Sequence, residues 1–231
     1  MVELEGQGAE QIRAALLKSL HDGGFDNEYL RNNLIAFYSD GASVMLGRNS
    51  GVGTRLKNGY ANIILWHCLN HRLQLILDDS VNDIKEVNHF KICMDKICTI
   101  FHQSNKNQRQ LLKISEILGQ QILKIGRALG PRCAACSLRS ELAVWRACPA
   151  LYKYFSSEAK HSGMAARLCN KYLLENLALM VDILQEISSL SNALQARNLT
   201  LTKAEQLIKR TIKLFEMLKE SNGIYEKKSM L

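Results

Sequence analysis

A carboxylate, a thiol and imidazole pair, and a run of cationic side chains are the parts of this sequence able to do chemistry. Asp40 follows the apolar run Leu34-Ile-Ala-Phe-Tyr-Ser39 and precedes Gly41-Ala42. At the carboxyl end of a parallel strand such a side chain projects into the crevice where α/β proteins place their ligands. Its small neighbours let a phosphate backbone or a metal approach closely. One Asp can serve as a bridging ligand for Mg²⁺, but two-metal phosphoryl transfer needs at least one further carboxylate converging on it. The competing role is an Asp that caps the helix after the strand. Cys68-Leu-Asn-His71 has the spacing that lets two side chains share Zn²⁺. A structural zinc site needs four ligands, and the nearest other pair, Cys133-x2-Cys136, begins 62 residues after His71. A packed thiol beside a locally bonded imidazole is the favoured account of the motif. Mg²⁺ at Asp40 and Zn²⁺ at Cys68 and His71 are thus the candidate cofactors. A Cys–His nucleophile has no orienting third residue, and Cys133-x2-Cys136 sits at the Gly130-Pro131 turn, not at a helix start after a strand as a redox pair would.

The third feature is charge. The chain has 231 residues with 30 Lys and Arg against 22 Asp and Glu, a formal +8. Residues 1–60 and 61–105 each carry −1, residues 106–173 carry +9, and residues 174–231 carry +1. Twelve basic side chains from Lys106 to Lys171, with only Glu116, Glu141 and Glu158 among them, mark a phosphate-facing surface or a solvated helical face. Within the stretch Arg132, Arg139 and Arg146 are the candidate nucleic-acid contacts. Trp145, Tyr152, Tyr154 and Phe155 interleave with Arg146 and Lys153, a mixture that stacks on and neutralises a nucleic acid strand or supplies core to an amphipathic helix; Trp145 reads as core.

Several classes are excluded. No apolar run approaches the ~18 residues that span a bilayer, and Met1 to Gly8 lacks the basic cluster and apolar stretch of a secretory leader. Seven cysteines without framework spacing point to free thiols in a reducing compartment. Gly41 to Gly53 is glycine-rich after a strand, but no Gly-Lys-Ser/Thr follows, so it is not a phosphate-binding P-loop.

The elements that must position these residues begin with a helix over Gln11–Leu20, ended by Gly23-Gly24. Leu34–Ser39 and Asn62–His67 read as buried strands with a short crossover helix over Gly51–Lys57. That order implies parallel pairing in a layered α/β unit. Beyond His71 the periodicity is helical: Leu73–Leu77, Asn88–Gln103, Ser137–Arg146, Gly163–Cys169 and Tyr172–Ala196. A further strand is expected at Ile122–Gly126, Pro149 suits a first helical turn, and Thr202 with Glu205 forms a capping-box start for the last helix. The fold class is α/β over 1–70 followed by a mostly helical 71–231, with no marked boundary and no internal repeat.

Ser39-Asp-Gly-Ala-Ser43, Trp66-His-Cys-Leu-Asn-His-Arg-Leu-Gln-Leu75, Gly130-Pro-Arg132 and Trp145-Arg-Ala-Cys-Pro-Ala-Leu151 together resemble the RNase H-like domain of hAT-superfamily transposases. The likeness extends over nearly the whole chain and is nearest to domesticated, transposon-derived vertebrate proteins, among them a nuclear E3 SUMO-protein ligase. It implies a partial RNase H-like sheet, with Asp40 matching the second acidic residue of the Asp-Asp-Glu set. Cys68 and His71 match the family's Cys-x2-His, and Arg132 the Arg of an Arg-Trp motif whose Trp is here Cys133. No counterparts of the first Asp or the Glu are recognisable. The resemblance therefore implies a catalytically inactive remnant of the acidic set, in a partial copy whose sheet, entered at Met1 to Leu4, exposes an edge. It implies a nuclear location, nucleic acid or protein partners and, as a second activity, SUMO transfer by positioning the SUMO-conjugating enzyme near its target. No RING-type ladder of Cys and His supports that transfer independently.

Overall fold

The computed structural model describes residues 4, 6–126, 134–158 and 161–229. The chain divides into two compact units, Met1–Leu75 and Ile76–Leu231.

In the first unit, helix α1 (Ala9–Asp22) ends at Gly23, and α2 (Asn27–Asn33) starts at Asp26, whose side chain accepts from the Tyr29 N–H at 2.7 Å. Strand β1 (Ala36–Ser39) leads through the four-residue α3 (Ser43–Leu46) and α4 (Val52–Gly59) to β2 (Ile64–His67). The two strands pair in parallel with Ala36 opposite Ile64 and Ser39 opposite His67. The expected strand, crossover helix, strand order is therefore present. The strands are not buried as expected. Tyr38 and Ile64 are each about 60% exposed, and Ala36 and Trp66 share their face. The opposite face, with Phe37 and Leu65, packs on Leu30, Val52, Leu56, Tyr60 and Ile63. Half of the apolar pattern is thus satisfied within the unit, because four-residue strands carry a core on one side only. Met1 to Glu3 lie outside the described residues, and Leu4 is exposed and belongs to no strand.

Helix α5 (Leu69–Asn82) begins in the first unit and ends in the second. The second unit holds α6 (Lys85–His102), α7 (Asn105–Ile117), α8 (Ala134–Ser157), α9 (Ser162–Leu168), α10 (Lys171–Leu194), α11 (Leu201–Glu220) and α12 (Ile224–Ser229). Its core joins Phe90, Ile97 and Phe101 of α6, Leu111 of α7, Val144, Leu151 and Phe155 of α8, and Leu177 and Val181 of α10. Phe101 lies 5.1 Å and 5.8 Å, centroid to centroid, from Tyr154 and Phe155. Such tilted aromatic contacts add about 0.5–1.5 kcal/mol each beyond burial.

Three expectations are corrected here. Ile122–Gly126 is not a strand: the segment has no ladder partner, and only Ile125 is buried. Pro149 does not open a helix but lies inside the 24-residue α8. Its ring costs a hydrogen bond worth of helix, about 3 kcal/mol, yet Ala147, Ala150, Leu151 and Phe155 continue one buried face through it. The helix expected to start at Thr202 is α11, which α12 follows, and it starts one residue earlier, at Leu201. Thr200 is its cap, with Oγ1 accepting from the Lys203 N–H at 3.3 Å, while Glu205 pairs with Lys209 at 2.7 Å.

The shortest helix, α12, has its start held from afar. Asp182 of α10 is buried. Its carboxylate accepts from the backbone N–H groups of Ile224 (3.1 Å), Tyr225 (3.0 Å) and Glu226 (3.1 Å). Gly223 permits this approach, since a Cβ there would run into the Asp182 carboxylate. Tyr225 then meets Trp145 of α8 edge-on at 5.8 Å.

Candidate functional site

The carboxyl ends of β1 and β2 bring together Asp40, Gly41, His67 and His71. Asp40 is exposed, and its Oδ1 accepts from the Ala42 N–H at 3.3 Å and the Ser39 hydroxyl at 3.4 Å. Asp40 thus takes a turn-forming role ahead of α3. Strand alternation turns His67 to the inner face with Leu65. His71, one turn into α5, faces it with ring centroids 5.3 Å apart and planes inclined by 44°. Cys68 goes elsewhere, its sulfur close enough to Tyr38 to act on the phenol. Interaction with the Cys68 sulfur, followed by burial, pushes the Tyr38 phenol up to about 12. The Cys68 and His71 of the zinc-like spacing are therefore each engaged with a different neighbour.

His67 was not among the residues that spacing singled out. Its period-two position beside Leu65, and its place four residues before His71, are the sequence signals for it. Burial lowers its pKa, as do the charges of His71 and Arg72, while Asp40 opposes them. Its Nε2 is buried with no hydrogen-bond partner among the described residues.

Gly41 closes this cluster from the β1 side. A Cβ there would stand 2.5 Å from Cε1 and Nε2 of His67 and 3.2 Å from Cδ2 of His71. Gly41→Ala is therefore expected to lower stability by about 1–3 kcal/mol, the usual cost of forcing an extra carbon into a filled space. Urea unfolding compared with the wild type measures it, and an unchanged midpoint would show that the loop yields freely.

The residues present do not fit a two-Mg²⁺ centre. That ion asks for oxygen ligands in near-octahedral array. Among the described residues no group of three or more His, Cys, Asp or Glu side chains gathers around one point. The glycine-rich stretch is tied to the start of α4: the Thr54 hydroxyl donates to the Gly47 carbonyl at 2.9 Å, and Arg55 Nε donates to the Ser50 carbonyl at 2.9 Å.

The cationic candidates lie in the second unit. Arg132 and Cys133 fall outside the described residues, as does the Cys136 side chain. Arg139, Arg146 and Lys153 recur every seven residues on α8, and all three are exposed. Seven residues of helix rise about 10.5 Å and return to nearly the same face, so the three cations form one line. None has a salt bridge among the described residues. Tyr152 is exposed beside them, whereas Tyr154 and Phe155 are core and Trp145 packs against that core. Glu141, the carboxylate nearest in sequence to Arg139, is buried on another side of α8.

No protein-family model, curated protein or solved structure matches the chain. No helix among the described residues is long and apolar enough to cross a membrane.

Proposed function

We propose that the chain acts as a nucleic-acid-binding module of the transposase-derived kind, with an RNase H-like ancestry, and not as a phosphoryl-transfer enzyme. The observation that carries this reading is the exposed line of Arg139, Arg146 and Lys153 on α8, without a salt bridge among the described residues and with Tyr152 beside it. Cations free of carboxylate partners release counterions from a phosphate backbone without first breaking an ion pair. The acidic cluster that cleavage would demand has a single representative, Asp40, and its oxygen is spent on a turn. The resemblance adds a nuclear setting. SUMO transfer rests on that resemblance alone, with no feature of the fold to favour it.

Binding to a duplex DNA fragment, followed by fluorescence anisotropy from 50 to 200 mM salt, tests the reading. Arg139→Glu together with Arg146→Glu is expected to weaken binding at least tenfold and to flatten the slope of log K against log salt by roughly two, about one per lost phosphate contact. Identical curves for wild type and variant would reject α8 as the contact surface.

A further inference from the structure

We propose that the hollow between α6 and the start of α10 binds one nucleotide unit, a flat base carrying a phosphate, either free or unpaired in a strand. The hollow lies wholly within the second unit and encloses about 560 Å³. Small-molecule sites occupy roughly 300–1,000 Å³. Its lining combines three chemistries. Phe90 and Cys93 of α6 are buried and form an apolar floor. Tyr172, at the start of α10, lines the same hollow and is 75% exposed. An accessible aromatic ring beside an apolar floor is a platform on which a base can stack.

Arg167 of α9 supplies the positive charge, and Glu86 of α6 the negative one. Neither has a salt bridge among the described residues, although both line one hollow. A ligand that joins them needs an anionic end and an edge that donates hydrogen bonds. Phosphate answers the first, since a guanidinium can hold two of its oxygens at once. The amino group of a base answers the second, because a glutamate accepts from it. Two amides complete the lining. The Asn170 oxygen is already taken by the Tyr172 N–H at 2.9 Å, which leaves its NH₂ to donate. Asn176 brings a donor and an acceptor of its own, the pair that matches an adenine edge. A fatty acid or a simple aromatic acid would set Glu86 and both amides against apolar atoms, at a cost in desolvation. The site shares no residue with the α8 line, so the two readings stand or fall separately.

Amide spectra of the full ¹⁵N-labelled chain, titrated with adenosine 5′-monophosphate and separately with a single-stranded oligo-dA octamer, test the proposal. Shifts are expected within 86–93 and 167–176. Arg167→Ala is expected to weaken the monophosphate roughly tenfold or more, and Tyr172→Ala roughly fivefold or more. Arg139→Glu with Arg146→Glu should leave it unchanged. A response to the monophosphate alone assigns the hollow to a free nucleotide, whereas an octamer response lost in Arg167→Ala assigns it to an unpaired strand. Unmoved resonances with both probes, or equal affinity in Arg167→Ala, overturn the proposal. Adenosine binding the wild type as tightly as its monophosphate overturns it without recourse to any variant.

Discussion

Asp182→Ala is expected to detach α12 while leaving the rest of the second unit folded. The carboxylate supplies a capping acceptor to α12 from another helix. It collects the N–H groups of Ile224, Tyr225 and Glu226 from more than forty residues away. Hydrogen bonds to a charged acceptor contribute about 1.5–3 kcal/mol each when partly buried. A helix of six residues has no independent stability, so the freed segment will unwind instead of leaving its amides buried and unpaired. The loss is then limited to the docking energy of α12, which we place at about 2–4 kcal/mol. Asp182→Asn keeps the shape but not the charge and should fall between. Amide exchange reads the result: protection at 224–229 vanishes, whereas that of α8 and the centre of α10 persists. A second readout is Trp145, which loses the edge contact of Tyr225. In a Trp66→Phe background its emission should shift to the red. Intact protection at 224–229 in Asp182→Ala would contradict the assignment.

The second large effect concerns Glu141. This side chain is buried in α8, and its Oε2 has no hydrogen-bond partner among the described residues. Burial pushes its carboxyl from 4.5 up to about 8, with only the charge of Lys91 pulling the other way. The native state therefore holds a proton that the unfolded chain gives up near pH 4.5. The stabilisation is complete below that pH, is lost progressively as pH rises toward 8, and levels off above it. At about 1.36 kcal/mol per pH unit the full difference is roughly 5 kcal/mol. Urea midpoints at pH 5, 6, 7 and 8 should fall along this series for the wild type. Glu141→Gln, which carries no titrating group, should flatten the profile and exceed the wild type at pH 8. Parallel profiles for the two proteins would assign the pH dependence to another group.

Local signals were readable where one element carries them. The repeat of Leu177, Leu184 and Ile187 marks α10, and the paired apolar runs with an intervening crossover mark β1, α4 and β2. The failures share a cause in that the deciding partner is distant. Pro149 reads as a helix start because proline lacks an N–H, yet buried side chains on both sides of it hold α8 continuous. Ile122–Gly126 has the composition of a strand but no second strand to pair with. The cap of α12 comes from Asp182, so no local pattern announces it. At the site, spacing drew attention to Cys68 with His71. The register of β2 instead places His67 on the inner face beside His71, which the spacing alone does not reveal. Arg139 and Arg146 were legible as charge, but their alignment with Lys153 needed the continuity of α8 through Pro149.

The pairing of β1 with β2 also sets the pace at which the first unit can form. Ala36 and Ile64 are joined across 28 residues, so their ladder closes a long loop before it returns any energy. The second unit grows instead by docking neighbouring hairpins such as α6 with α7 and α8 with α9. Helix pairs close in sequence reach the folded state faster than non-local strand pairs. One polypeptide therefore carries a slow-assembling portion and a quick one. On refolding, the imidazole cluster at the strand ends forms only once the ladder of β1 and β2 has closed.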